Sequence, residues 1–369
     1  MAEKKNQHFV PKFLLRKFSD DGKSLALVLL SAGKIVRGAS LTNQCAKDYF
    51  YGRDSAVEDA FAAWEGEIAA TVRNLDPHVL QNLPFDKLYQ LRQYAHYQHR
   101  RTEGAAEMIN SMVDNLGKAI LKESPNGSLP NPHDVRLGLK EPQHLSLYNA
   151  ATSTPFLLDL AMKFLVRSEP PGFVTSDDPV VLSNQWAEHH PKFTNYRGVT
   201  GLALKGLQMF LPLSPQVTLA VFDQQTYRCG NSASLVRHVS ADDANRLNKL
   251  QVLHAMKCIY YNPIWSPNMD PAALRDFKAA APKREWATEV GPKEHKANGT
   301  IRQLVVSIAP DVRIGGTFDF MPTTDADPYD GYDRAVLPVR SQVALKLADE
   351  YQKYVDAKLS PGQRRKRRR

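Results

Sequence analysis

Cysteine is scarce. Cys45, Cys229 and Cys258 are the only three in 369 residues, an odd count with no pair spacing. That argues against a disulfide framework and against a zinc knuckle. Long apolar runs are missing too. The longest, Leu25 to Leu30, falls far short of the roughly 20 residues a membrane-spanning helix needs. Met1-Ala2-Glu3-Lys4-Lys5-Asn6 has no apolar core of a secretory signal. The expected location is the cytosol, with no membrane partner. There is no glycine pattern of a P-loop or a dinucleotide-binding turn, and no serine or cysteine lies in a nucleophile-elbow or cysteine-protease context. The sequence therefore names no cofactor and no metal.

What is present is enough for a packed core. Hydrophobic residues make up 43% and charged residues 24%, which excludes global disorder. The formal charge is +9, and the closing run Arg364, Arg365, Lys366, Arg367, Arg368, Arg369 carries +6 of it. The body is only mildly basic, so the tail is a separate electrostatic device. Like charges in a block repel and stay disordered. Such a tail attracts nucleic acid or another polyanion by counterion release; the plainer alternative is a solubilising end.

In chain order, Pro11 opens a short amphipathic helix with Val10, Phe13, Leu14 and Phe18 at helical spacing. Residues 24–31 and 34–38 read as a hairpin, and 39–53 as a connector. Val57, Phe61, Trp64, Ile68 and Val72 mark a buried stripe on a helix over 56–75. A second helix is expected over 86–102 with Asp86 as its cap, a third up to Lys122, and further helical sequence over 144–152. Strands are expected at 162–167, 173–182, 208–213, 217–222 and 257–261, with a Ser240-capped helix over 241–256. Beyond 262 the signal weakens. Strands are expected over 301–308 and 317–321 and a last helix over 341–359. The fold class is α+β: an N-terminal helical module, about 55–122, packed with a small, mainly antiparallel sheet, about 160–261.

Three polar constellations stand out. On the helix over 86–102 the apolar stripe Leu88, Leu91, Ala95 continues into Gln98 and Thr102, with Arg101 beside them. A stripe that turns polar points to a polar, partly buried site. On the neighbouring face lie Arg92, His96 and His99, and the Arg92–His99 spacing resembles that of the HEPN ribonucleases. Second, Ser176-Asp177-Asp178-Pro179 forms a polar knot between two β-prone runs. Adjacent carboxylates in extended chain point to opposite sides, so Asp177 is expected to face a pocket and Asp178 to cap the turn. Third, His8 precedes the first helix. Each set also has a structural reading, as buried polar groups satisfying backbone or one another.

Gln7-His8-Phe9-Val10-Pro11-Lys12-Phe13-Leu14-Leu15 resembles the opening pattern Q-H-x-V-P-x-F-L-L of a bacterial family known as domain of unknown function 4238. Gln98 to Thr102 is similar to its Q-x-x-R-T helix signature, Phe173 to Leu182 to its F-I-T-S-D-N-P-V-V strand, and Asn245-Arg246-Leu247-Asn248 to its closing segment. The chain departs from the pattern at Glu103-Gly104, where the family usually has proline, and at Asp178, where it often has asparagine. The resemblance covers residues 7 to about 261. It leaves 262–359 as a variable extension and 360–369 as the tail, and it implies an intracellular bacterial protein without an assigned activity. Two functions are expected from the residues. One is a phosphodiester-cleaving enzyme with His8 as acid or base, Arg101 as anion binder and Asp177 as orienting carboxylate, supported by Gln98, Ser176, Asp178, Arg92 and His99. The other is a non-enzymatic nucleic-acid or protein-binding module whose polar motifs are structural.

Overall fold

The computed structural model of the chain describes residues 5–53, 56–122, 134–193, 197–281, 287–295, 301–308, 311–324, 338–340 and 346. Its first part comprises β1 (Asn6–His8), α1 (Lys12–Arg16), β2 (Ser24–Leu29), β3 (Lys34–Ser40) and β4 (Ala46–Asp48). The helices α2 (Ala56–Thr71), α3 (Pro77–Gln81), α4 (Phe85–Arg100), α5 (Glu103–Lys122) and α6 (Pro142–Ser153) follow. Next come β5 (Ala161–Val166), β6 (Thr175–Ser176), β7 (Val181–Ser183), α7 (Gln185–His189), β8 (Gln208–Ser214), β9 (Val217–Phe222) and β10 (Val236–His238). The described elements close with α8 (Ala241–His254), β11 (Cys258–Tyr261), α9 (Pro271–Ala280), β12 (Ala287–His295) and β13 (Ile301–Ile308). None of the described helices is long and apolar enough to cross a membrane.

The central layer is a five-stranded sheet in the order β10-β5-β9-β8-β7. It is antiparallel except for the β10–β5 pair. Side chains alternate across a strand, and here the alternation sorts residues into two cores. Met209, Leu211, Leu213, Val217, Leu219 and Val221 face one side, with Ile68 of α2, Val72 just beyond its end, and Leu91 and Tyr94 of α4. Phe210, Ala220, Phe222 and Leu165 face the other, against Ala244, Leu247 and Leu250 of α8. A strand covered on both faces reads as a continuous apolar run, which is why β8 and β9 are buried along their whole length.

A second, four-stranded antiparallel sheet has the order β3-β2-β11-β6. The opposite side of α8, through Val252, packs on it with Val28, Val174 and Ile259. So α8 lies between the two sheets. Ser240 fixes its start, accepting a hydrogen bond from the Asp243 amide at 3.1 Å.

The α+β class holds, but two finer expectations change. The chain does not begin with a helical module: β1 to β4 precede α2, and β2 and β3 complete the sheet of β11 and β6. The stretch 173–182 is not one sheet continued. Its two flanks join different sheets, β6 pairing with β11 and β7 with β8, so the knot is the crossing between them. At α4 the cap is Pro84 and not Asp86.

Beyond 262 the structure is richer than the sequence suggests. Helix α9 begins at Pro271, where Asp270 accepts from two amides, and β12 pairs with β13. Residues 317–321 form no strand; Phe318, Phe320 and Met321 instead plug the core under α8. Arg340 is buried and grips the Asp159 carboxylate at 2.9 and 3.0 Å. Its backbone amide donates to the Ala203 carbonyl at 2.8 Å. The last helix expected over 341–359 lies outside the described residues apart from Lys346, and so does the basic tail.

Candidate functional site

The opening motif is held by backbone. Strand β1 pairs with β4, Gln7 opposite Lys47 and His8 opposite Ala46. The Gln7 amide closes the connection, donating to the Gly52 carbonyl at 3.1 Å and accepting from the Tyr51 amide at 2.6 Å. The imidazole of His8 is turned to the backbone of Leu41 and Thr42. Its Nε2 is buried and has no hydrogen-bond partner among the described residues. Burial, with Lys12 nearby, lowers its pKa to about 4, so the ring is neutral at pH 7.

The Gln98–Thr102 signature ends α4. Gln98 Nε2 donates to the Phe9 carbonyl at 2.9 Å, which ties the helix to the opening motif. Arg101, 1% exposed, sends its three nitrogens to three partners. Nε donates to the Tyr51 hydroxyl at 2.8 Å, Nη2 to the His8 carbonyl at 2.8 Å, and Nη1 to the Glu65 carboxylate. The guanidinium also lies over the Phe61 ring at 4.1 Å. Burial alone would depress its pKa, but Tyr51 and Glu65 more than offset that and hold it above the ordinary value. Burial in turn pushes the Tyr51 phenol up to about 12. A guanidinium satisfied on every nitrogen and shut from water cannot greet an incoming phosphate without dismantling this cage.

In the knot, Ser176 Oγ donates to Gln251 Oε1 at 2.9 Å, and Gln251 Nε2 donates to the Pro179 carbonyl at 2.7 Å. Asp177 accepts from the amides of Met256, Lys257 and Cys258 at 2.8, 2.7 and 3.3 Å, so its carboxylate caps the entry to β11. Burial raises its pKa to about 6 against those amides. Asp178 turns the other way. It accepts from Thr102 Oγ1 at 2.9 Å and lies 3.2 Å from His254 Nδ1. The roles expected for the two aspartates are reversed: Asp177 does the capping, and Asp178 faces the helices. Gly104 makes room for it, since a Cβ there would come within 2.7 Å of Asp178 Oδ2.

The expected catalytic trio is thus joined only in part. Arg101 reaches His8, but through its backbone carbonyl and not its ring, and Asp177 bonds to neither. Arg92 and His99 also part company. Arg92 donates to the carbonyls of Leu157 and Leu158 at 3.1 and 3.3 Å. His99 meets the Val180 backbone, with its ring centroid 6.2 Å from that of His254, and burial drives its pKa well below the usual value. Glu65, Tyr51, Gln251 and His254 complete the network and were not anticipated. Gln251 and His254 had a signal: they continue the buried α8 stripe Ala244, Leu247 with polar atoms. Glu65 had one as well: it follows Phe61 by four residues, which puts a carboxylate at the edge of the buried α2 stripe.

Two large cavities open on the described surface, of about 680 and 820 Å³. His8, Arg101 and Asp177 line neither. Among the described residues, no group of three or more His, Cys, Asp or Glu side chains is arranged to hold a metal ion. Among known families, the one described as Protein of unknown function (DUF4238) has a model that matches residues 6–264. No curated protein and no solved structure matches the chain.

Proposed function

This chain belongs to the DUF4238 family, and we propose that it is a non-enzymatic binding protein: its shared polar motifs hold the fold together, and the run Arg364 to Arg369 engages nucleic acid or another polyanion. The observation that carries the reading is that the hydrogen-bonding groups of Arg101 and Asp177 are spent inside the fold. A buried network of this kind specifies one packed arrangement. The densest block of charge left for a polyanionic partner is then the tail.

The test is titration of the full chain with single-stranded RNA and DNA oligonucleotides over a range of salt. Six neutralised phosphates of a single strand give a slope of log K against log salt of about −4. Replacing the six tail residues by glutamine should flatten the slope towards zero; an unchanged slope refutes the tail as the contact.

Cleavage of phosphodiesters is the second reading, and one observation favours it. His8 Nε2 has no partner among the described residues, and the ring is neutral at pH 7, as a general base must be. Incubating the same oligonucleotides with the protein, with and without divalent metal, separates the readings. Cleavage abolished by His8→Ala would establish the enzyme and overturn the binding-protein reading.

A further inference from the structure

The larger cavity, about 820 Å³, lies on the side of α8 away from the central sheet. It is bounded by α8, the N-terminal half of α9, the loop between β11 and α9, and Pro170 to Val174. Its size falls within the range of small-molecule sites. Met269 and Leu274, both part-exposed, supply its apolar wall, backed by the buried side chains of Val174, Val252 and Ile259.

The charged groups on its rim are not equivalent. Arg246 is engaged by Asp243 and Asp319. Asp270 is occupied as the cap of α9. Asn248 is fixed between the Gly172 carbonyl and the Val174 amide. Asp242 and Lys249 remain, both exposed and neither in an ion pair among the described residues, with Asn245 between them and the Lys249 ammonium 5.9 Å from the centre of the Phe277 ring. This acid and this base are seven positions apart on one helix. That places them on the same face about 10 Å apart.

From this arrangement we propose that the cavity is a binding site for a short apolar peptide with both ends free. Asp242 takes the ammonium, Lys249 takes the carboxylate, and the exposed Asn245 amide faces the backbone between. The match is one of length as well as charge, since an extended tripeptide spans at most about 10 Å. An apolar side chain in the middle of the ligand then lies against Met269 and Leu274. Val174, Asn245, Arg246 and Asn248 belong to two of the motif segments, but the cavity contains none of the tail and none of His8, Arg101 and Asp177, so the proposal stands or falls separately from the binding function above.

Calorimetric titration of the full chain with the tripeptide Leu-Ala-Leu tests it, alongside the N-acetylated and C-amidated forms. The free peptide should bind saturably, and blocking either end should weaken it about tenfold, the loss expected for one charge-assisted contact. Lys249→Gln should abolish the preference over the amide alone, and Asp242→Asn the preference over the acetylated form alone. Ala273→Phe fills the exposed mouth of the cavity and should abolish binding with an unchanged melting temperature. The proposal is overturned by any of three results: no saturable binding up to about 1 mM, binding that survives Ala273→Phe, or blocked peptides that bind as well as the free one.

Discussion

At the scale of single residues, Arg101 and the buried histidines decide how the protein responds to change. Replacing Arg101 by alanine leaves the Glu65 carboxylate, the Tyr51 hydroxyl and the His8 carbonyl without their donor. Breaking a buried ion pair from one side costs about 3–5 kcal/mol, so Arg101→Ala should lower the denaturation midpoint sharply in a urea melt. A near-native midpoint would return Arg101 to the list of available functional groups. The pH response follows from His8 and His96, whose pKa values burial lowers to about 4 and about 3. An unfolded histidine titrates near 6.5. Between that value and the depressed one the unfolded chain binds more protons, so stability rises with pH across this window and is lost as pH falls through it. Asp177 and Glu188 act in the opposite sense. Burial raises them to about 6 and about 7, so each is destabilising once pH climbs past its unfolded value. The acid limb of a melting-temperature profile between about pH 6.5 and 4 should therefore be shallower in His96→Gln than in the parent.

At the scale of elements, the knot between β6 and β7 is where sequence and structure agree in kind and differ in detail. The two β-prone flanks and the polar interruption were legible because alternation and a proline-bounded turn are local signals. That the flanks enter different sheets was not legible, because strand pairing depends on β8 and β11, which lie far along the chain. The same limit explains the exchanged roles of Asp177 and Asp178. The pleat says only that they diverge; which one meets backbone amides depends on where α8 ends. The helices α2 and α4 were readable from their stripes, and α8 from its Ser240 cap. By contrast, α9 has ten residues, none of them buried, and its apolar stripe is confined to Leu274 and Phe277, too short a run to stand out in a proline-containing polar stretch. Gly104→Ala probes the packing of the knot against α5. The added methyl would press on the Asp178 carboxylate, and overpacking of this sort costs about 1–3 kcal/mol. Thermal melts should show that loss; a neutral substitution would mean that Asp178 can swing aside.

At the scale of the whole molecule, the match to the DUF4238 family ends at residue 264, but the core does not. Val312, Phe318, Phe320 and Met321 seal the apolar face under α8. Arg340 fastens the segment to Asp159 and to the Phe156 and Leu204 carbonyls. A chain stopped after residue 264 exposes that face and leaves Asp159 unpaired. It should lose its cooperative unfolding transition and bind the apolar-surface dye ANS; a sharp melt at the parental temperature would show the family-matched part to be self-sufficient. The position of Arg340 also sets a clock. The 76 residues between 264 and 340 take roughly 4–15 s to synthesise. For that interval a newly made chain carries most of the described strands and helices with a hydrophobic face still uncovered, so its hazard in the cell is greatest late in its own translation.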